Sequence, residues 1–91
     1  MWWVYVLRCS DGSLYCGISN DVERRLQVHN AGKGSRYVRS RSPASLVFSW
    51  KAGTKSDALK AEHRFKKLSK RQKENIVEEQ RWNLQLDLPV A

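Results

Sequence analysis

Two tyrosines, an arginine, a histidine and a solitary glutamate are the residues of this chain whose types and spacing could do chemistry. Tyr5 and Tyr15 lie in short β-like runs, Trp-Val-Tyr-Val-Leu (3–7) and Leu-Tyr-Cys-Gly-Ile (14–18), with the turn signal Ser10-Asp11-Gly12 between them. Arg25 comes ten residues after Tyr15, His29 four later, and Glu62 stands in the most basic stretch. A guanidinium can bond two phosphate oxygens at once. An imidazole can accept or donate a proton near neutral pH. A phenol can position or deprotonate water once nearby positive charge lowers its pKa from about 10. Taken singly, each residue has a plainer use: sheet packing for the tyrosines, an ion pair with Asp21 or Glu23 for Arg25, helix capping for His29 and a salt bridge to Lys66 for Glu62. Taken together, the set suggests a small nuclease that holds one metal ion.

These side chains need particular elements to bring them together. Residues 2–8 and 13–18 read as a β-hairpin, rich in Val, Ile, Tyr and Trp. A two-residue turn at Asp11-Gly12 would put the tyrosines on opposite faces. A three-residue loop with Gly12 left-handed pairs position 9 with 13 and sets Tyr15 opposite Leu7, diagonal to Tyr5 on one face. That register also collects Val4, Val6, Leu14, Cys16 and Ile18 on the other, wholly apolar face, which favours it. Asn20 is the expected cap of a helix to about Asn30, with Glu23 as its capping-box partner and Gly32 as its stop. Val22, Arg25, Leu26 and His29 share one face of that helix, aimed at the sheet. Residues 32–43 are expected as a basic loop and Leu46 to Trp50 as a third strand. Thr54 caps a helix from Lys55 to about Leu68, and Ser69 with Gln72 caps another to about Arg81. On the first of these two, Glu62 falls in the stripe of Ala58 and Phe65, where an unpaired carboxylate is costly and a metal ion or an arginine would answer the cost.

Composition limits the partners. Ninety-one residues with 41% hydrophobic content make one domain, expected over residues 1–82 with a short tail at 83–91. The net charge is +8, and between Lys33 and Lys73 there are 13 Lys or Arg against two acids, Asp57 and Glu62. A concentrated basic stretch attracts a polyanion, nucleic acid first among them; the plain alternative is a soluble surface with no specific partner. Lys33, Arg36, Arg39 and Arg41 would contact phosphates, and Tyr37 could stack on an unpaired base. Lys66, Lys67 and Lys70, with Arg71 and Lys73, would extend the track. No apolar run approaches the roughly 20 residues of a membrane span, and no secretion signal is expected. Cys9 and Cys16 make no zinc-like cluster with His29 or His63 and read as free thiols of a cytoplasmic protein.

The series resembles the GIY-YIG nuclease superfamily, most of all its small stand-alone bacterial members. The first signature element matches Trp3-Val4-Tyr5, which keeps only the tyrosine, and the second matches Tyr15-Cys16-Gly17. Arg25, His29, Glu62 and the run Gly32-Lys33-Gly34-Ser35-Arg36-Tyr37 complete a resemblance over roughly residues 2–80. It implies an α/β (α+β) fold, a three-stranded antiparallel sheet flanked by about three helices. It also implies that Glu62 binds one divalent cation, Mg2+ or Mn2+, that Arg25 steadies the scissile phosphate, and that one of Tyr5 and Tyr15 activates water while the other orients water or phosphate. His29 matches a histidine found in part of the superfamily. Where some members place a lysine after the second triplet, this chain has Ile18, so that route to activated water is not available. Asn75 lies near a late asparagine that some members use. The expected function is metal-dependent endonuclease action on DNA, one strand per site, on branched, damaged or single-stranded forms; the residues do not separate DNA from RNA. Its rivals are a nucleic-acid-binding module with a weak or decayed site and an interaction domain recruited to a repair or mobile-element complex by a protein partner.

Overall fold

Alternating apolar residues around one tight turn set the architecture. The structure, a computed structural model, describes residues 1–82. Strands β1 (Trp2–Arg8) and β2 (Leu14–Ser19) pair antiparallel in the register Leu7↔Tyr15 and Tyr5↔Gly17. Cys9 N–H donates to the Ser13 carbonyl at 2.9 Å and Gly12 takes φ +85°, so the bulged loop forms as expected. Helix α1 (Val22–Asn30) follows, then a single turn, α2 (Arg36–Arg39), strand β3 (Ser45–Gly53), and helices α3 (Lys55–Lys66) and α4 (Lys70–Glu79). β3 pairs antiparallel with β1, giving the strand order β2-β1-β3 and leaving one side of β2 open.

The sheet separates two cores. Val4, Val6, Cys16 and Phe48 pack against Ala61, Phe65 and Ile76 of α3 and α4. Tyr5, Leu7 and Val38 fill the opposite face, covered by Tyr15, Val22 and Leu26. Thr54 caps α3 through a bond to the Asp57 N–H, and Ser69 and Gln72 form the expected capping box of α4. The bidentate pair Arg8–Glu74, 2.6 Å at both contacts, ties the end of β1 to α4. It was not anticipated, because the partners lie 66 residues apart.

Three boundaries differ from the expectations. α1 is capped by Asp21, whose carboxylate accepts from the Arg24 N–H, rather than by Asn20. The basic loop contains α2, capped by Ser35, because Ser35 accepts from the Tyr37 N–H and starts a turn. β3 runs from Ser45 to Gly53 rather than stopping at Trp50, since pairing with β1 continues to Trp2↔Gly53. The flanking helices thus number four when α2 is included. The tail expected at 83–91 lies outside the described residues. No described helix is long and apolar enough to cross a membrane.

Candidate active site at the open edge of the sheet

Tyr5 and Tyr15 stand on the same sheet face, ring centroids 6.4 Å apart. Tyr5 points from β1 across β2 over its partner Gly17, and it can lie there only because Gly17 has no side chain. A Cβ at Gly17 would sit 2.5 Å from the Tyr5 hydroxyl. From α1, whose Val22 and Leu26 anchor it on this face, His29 is carried into complete burial. Its Nε2 lies 2.9 Å from the Tyr5 hydroxyl. On its other side Nδ1 is 3.3 Å from the Ser35 amide. A backbone N–H only donates, so Nδ1 must accept and the ring proton of the neutral imidazole resides on Nε2. The Tyr5 oxygen therefore accepts from His29, and its own proton is free to point elsewhere. Gly34 makes this approach possible, since a Cβ there would fall 2.3 Å from Nδ1.

Electrostatics keep this group neutral. Burial pushes the Tyr5 phenol up to about 12, against the opposing pull of the adjacent Arg25 guanidinium. Burial first, and Arg25 second, hold the His29 imidazole below the ordinary value of 6.5. Between the folded and unfolded values the unfolded chain binds the additional proton, so His29 contributes stability that is complete above about pH 6.5 and is lost as pH falls below it. An added proton on Nδ1 would also face the Ser35 N–H donor to donor. NMR titration of the His29 ring should give a midpoint below 6.5 and a denaturation midpoint that falls with pH over the same range. A midpoint at or above 6.5 would contradict the buried donor arrangement.

Arg25 stands half-buried beside Tyr5 and His29 and joins no ion pair with Asp21 or Glu23 among the described residues. An open cleft of about 620 Å³, lined in part by Asp21, Arg24 and Arg25, leads to it from solvent. Tyr15 packs edge-on to His29 at 5.3 Å and in parallel with Tyr37 at 6.1 Å.

Glu62 arrives from the other face. On α3 it lies between buried Ala58 and Phe65, with its side chain 20% exposed, and its one ion pair among the described residues is to Lys66 at 3.4 Å. The plainer reading of Glu62 is thus present in the structure, but loosely made and on the same helix. After burial, the Glu62 carboxylate is the next cause raising the Cys16 thiol to about 12, which places it near Cys16. α3 packs against the Cys16 side of β2, whereas Tyr5 crosses Gly17 on the other side. Tyr5, Tyr15, Arg25 and His29 come together on one face, and Glu62 stands on α3, which packs on the other. No group of three or more His, Cys, Asp or Glu able to hold a metal forms among the described residues.

Of the basic track, Lys33, Arg36 and Arg39 are exposed near α2, and Lys66, Lys67 and Lys70 are exposed at the α3–α4 junction. Arg41 departs from it. Its guanidinium bonds Asp11 at 2.9 Å and the Tyr37 carbonyl at 3.0 Å, and lies 3.9 Å from the centre of the Tyr37 ring. It pins α2 to the hairpin and covers part of the aromatic surface expected to meet a base. Cys9 and Cys16 are buried free thiols, as expected.

The profile of the GIY-YIG catalytic domain matches residues 1–75. A UPF0213 protein of Bacillus velezensis is 49% identical over 77 residues, which span 85% of this chain and 78% of the relative. The UPF0213 protein YhbQ of Escherichia coli K12 is 50% identical over 78 residues, 86% of this chain and 78% of its own. Among solved structures, the solution NMR structure of the UPF0213 protein BH0048 from Bacillus halodurans aligns with a TM-score of 0.55 at 44% identity, covering 86% of this chain and 84% of that one. The NMR structure of EF2693 from E. faecalis gives 0.57 at 43% identity, covering 85% and 82%.

Proposed function

The chain belongs to the GIY-YIG catalytic-domain family, a nuclease family, and from that premise we propose that it is a metal-dependent endonuclease hydrolysing DNA phosphodiester bonds, one strand at a time. The observation that carries this reading is the convergence of Tyr5, His29 and Arg25, with the Tyr5 hydroxyl 2.9 Å from Nε2 and Arg25 acting on both. A structural hydroxyl would be satisfied by one partner. Here the phenol oxygen accepts from the imidazole and feels a guanidinium, which leaves its own proton committed to neither.

Arg25, reached through the open cleft, would bond the scissile phosphate and stabilise charge developing on it. Tyr5 and Tyr15 would orient the attacking water, with Tyr5 held in place by His29. A phenol pushed up to about 12 is a poor base by itself, so its role is first to position water; it would deprotonate only once further positive charge arrives. Glu62 fits a divalent cation. It is a lone carboxylate whose only ion-pair partner among the described residues is a loosely held ammonium 3.4 Å away. Magnesium is commonly bound through one or two carboxylates plus substrate phosphates, keeping several waters. When bound there, such an ion would supply Lewis-acid polarisation of the phosphate and stabilise the leaving oxygen.

Lys33, Arg36 and Arg39, with Lys66, Lys67 and Lys70, would grip phosphates without reading sequence. Affinity should accordingly fall linearly in log–log form with salt, with a slope of about −0.7 to −0.9 per phosphate neutralised. Fluorescence anisotropy from 50 to 200 mM salt measures this, and a flat response would remove the basic track from the account. The function itself is tested with labelled linear, nicked, flapped and branched substrates incubated with Mg2+, Mn2+ or EDTA. Cleavage that needs the metal supports the reading. Binding with no cleavage of any substrate under either metal would replace it with the reading of a non-catalytic nucleic-acid-binding module.

A further inference from the structure

A small cavity beside the proposed site is unused by anything described so far. It has a volume of about 220 Å³ and is lined by Leu14, Tyr15 and Cys16 of β2, Tyr37 of α2, Phe65 and Lys66 of α3, and Lys73 of α4. Its walls are mixed in a specific way. Tyr15 and Tyr37, which stack on each other at 6.1 Å, and the buried Phe65 provide apolar surface, Arg41 covers one face of the Tyr37 ring, and two ammonium groups stand with them. Lys73 Nζ lies 5.9 Å from the centre of the Phe65 ring, and Lys66 Nζ faces Glu62 at 3.4 Å. Among the described residues the lining holds two lysines and no acid, with the Glu62 carboxylate beside Lys66 at 3.4 Å. Access is open, because Tyr37 is 38% exposed and the Lys66 side chain 54%.

We propose that this cavity receives one unstacked nucleobase of the bound strand, with the phosphate next to it held by Lys66 and Lys73. The proposal rests on the nuclease reading above and specifies its substrate: a strand that carries an unpaired nucleotide beside the bond to be cut. Size selects the occupant. The cavity falls below the roughly 300–1,000 Å³ of ordinary small-molecule sites, yet offers a flat ring system somewhere to enter. Chemistry agrees, since every base has a π-face for an aromatic wall and brings a phosphate that the lysines can neutralise. Position agrees as well. Tyr15 belongs both to this cavity and to the group around Tyr5 and His29, and Lys66 belongs both to it and to Glu62. A base seated here would thus hold its phosphate within reach of both halves of the site. The same phosphate would compete with Glu62 for Lys66, which would uncover the carboxylate as the strand binds.

The test alters the ligand before the protein. The wild-type chain, in EDTA, is titrated with a duplex carrying one bulged 2-aminopurine, with the same duplex abasic at the bulge, and with the fully paired duplex. The base-bearing bulge should bind about fivefold or more tighter than the abasic one, with a change in 2-aminopurine emission on binding. Leu14→Trp, which fills the cavity, should remove this preference while retaining salt-dependent binding to the paired duplex. Tyr37→Ser, on the exposed side, should also remove it and serves if Leu14→Trp disturbs the packing beneath. Equal affinity for the base-bearing and abasic bulges would overturn the proposal, as would a preference that survives both substitutions. Cleavage is scored separately in Mg2+. Metal-dependent cutting with no base preference rejects the cavity and leaves the nuclease reading standing, whereas a base preference without cutting under any metal does the reverse.

Discussion

Glu62→Ala is expected to reduce metal-dependent cleavage to background while leaving the fold intact. The only ion-pair partner of this carboxylate among the described residues is an exposed lysine one turn along α3. Among the described residues the carboxylate makes no buried hydrogen bond, and Ala58, Ala61 and Phe65 supply the apolar packing of that face. An ion pair of this exposed i,i+4 kind contributes only about 0.3–0.5 kcal/mol. Circular dichroism and the thermal midpoint should therefore change little. Loss of the group that binds the cation should cost at least as much as loss of one preorganised charge stabiliser, about 10²–10³-fold in rate. A Glu62→Ala preparation that cuts at the wild-type rate would rule out the site, and one that fails to fold would show that Glu62 is structural.

Gly17→Ala should damage both stability and activity, for a reason visible in one distance. The new Cβ would lie 2.5 Å from the Tyr5 hydroxyl and 2.6 Å from its Cζ. Tyr5 is 1% exposed and hydrogen-bonded to His29, so it has no free volume in which to retreat. Overpacking of this kind costs about 1–3 kcal/mol. For a domain of this size that lowers the thermal midpoint by roughly 4–8 °C per kcal/mol. The displaced ring would also abandon its bond to Nε2 and its contact with Arg25. A misplacement near 1 Å can cost about 10²-fold in rate. The two readouts are separable, because assays well below the lowered midpoint isolate the loss of geometry from the loss of folded protein. A Gly17→Ala variant with wild-type cleavage would mean that Tyr5 need not lie over β2 for the reaction.

The glycine of the second triplet also illustrates what the sequence can and cannot convey. Its identity was plain, but its purpose was not, because no local rule states that a tyrosine twelve residues earlier will cross over it. The hairpin register was legible, since only the bulged loop sorts Val4, Val6, Cys16 and Ile18 onto one apolar face. The face shared by Val22, Arg25, Leu26 and His29 was legible for the same reason, as helical spacing converts directly into direction. The α1 cap was misplaced by one residue because Asn20 and Asp21 are both competent caps, and only the chain path after Ser19 decides between them. Arg41 was read as a phosphate contact because its charge was visible and its partner Asp11, 30 residues away across the loop, was not. Glu62 could be chosen from its isolation among basic residues, yet sequence had no means of showing that α3 covers the opposite side of the sheet. That last point puts Glu62 and the group around Tyr5 on different sides of the sheet, so the proposed site has to wrap around the edge of β2.

Wrapping of this kind is the central claim, and Mn2+ relaxation in NMR tests it most directly. With a non-cleavable oligonucleotide bound, Mn2+ should broaden the resonances of Tyr15 and Arg25 from one side of β2 and of Cys16 from the other. The broadening should vanish in Glu62→Gln. If the ion instead broadens residues remote from β2, or broadens the same set equally well without the Glu62 carboxylate, the two sides do not form one site and the hydrolytic account fails.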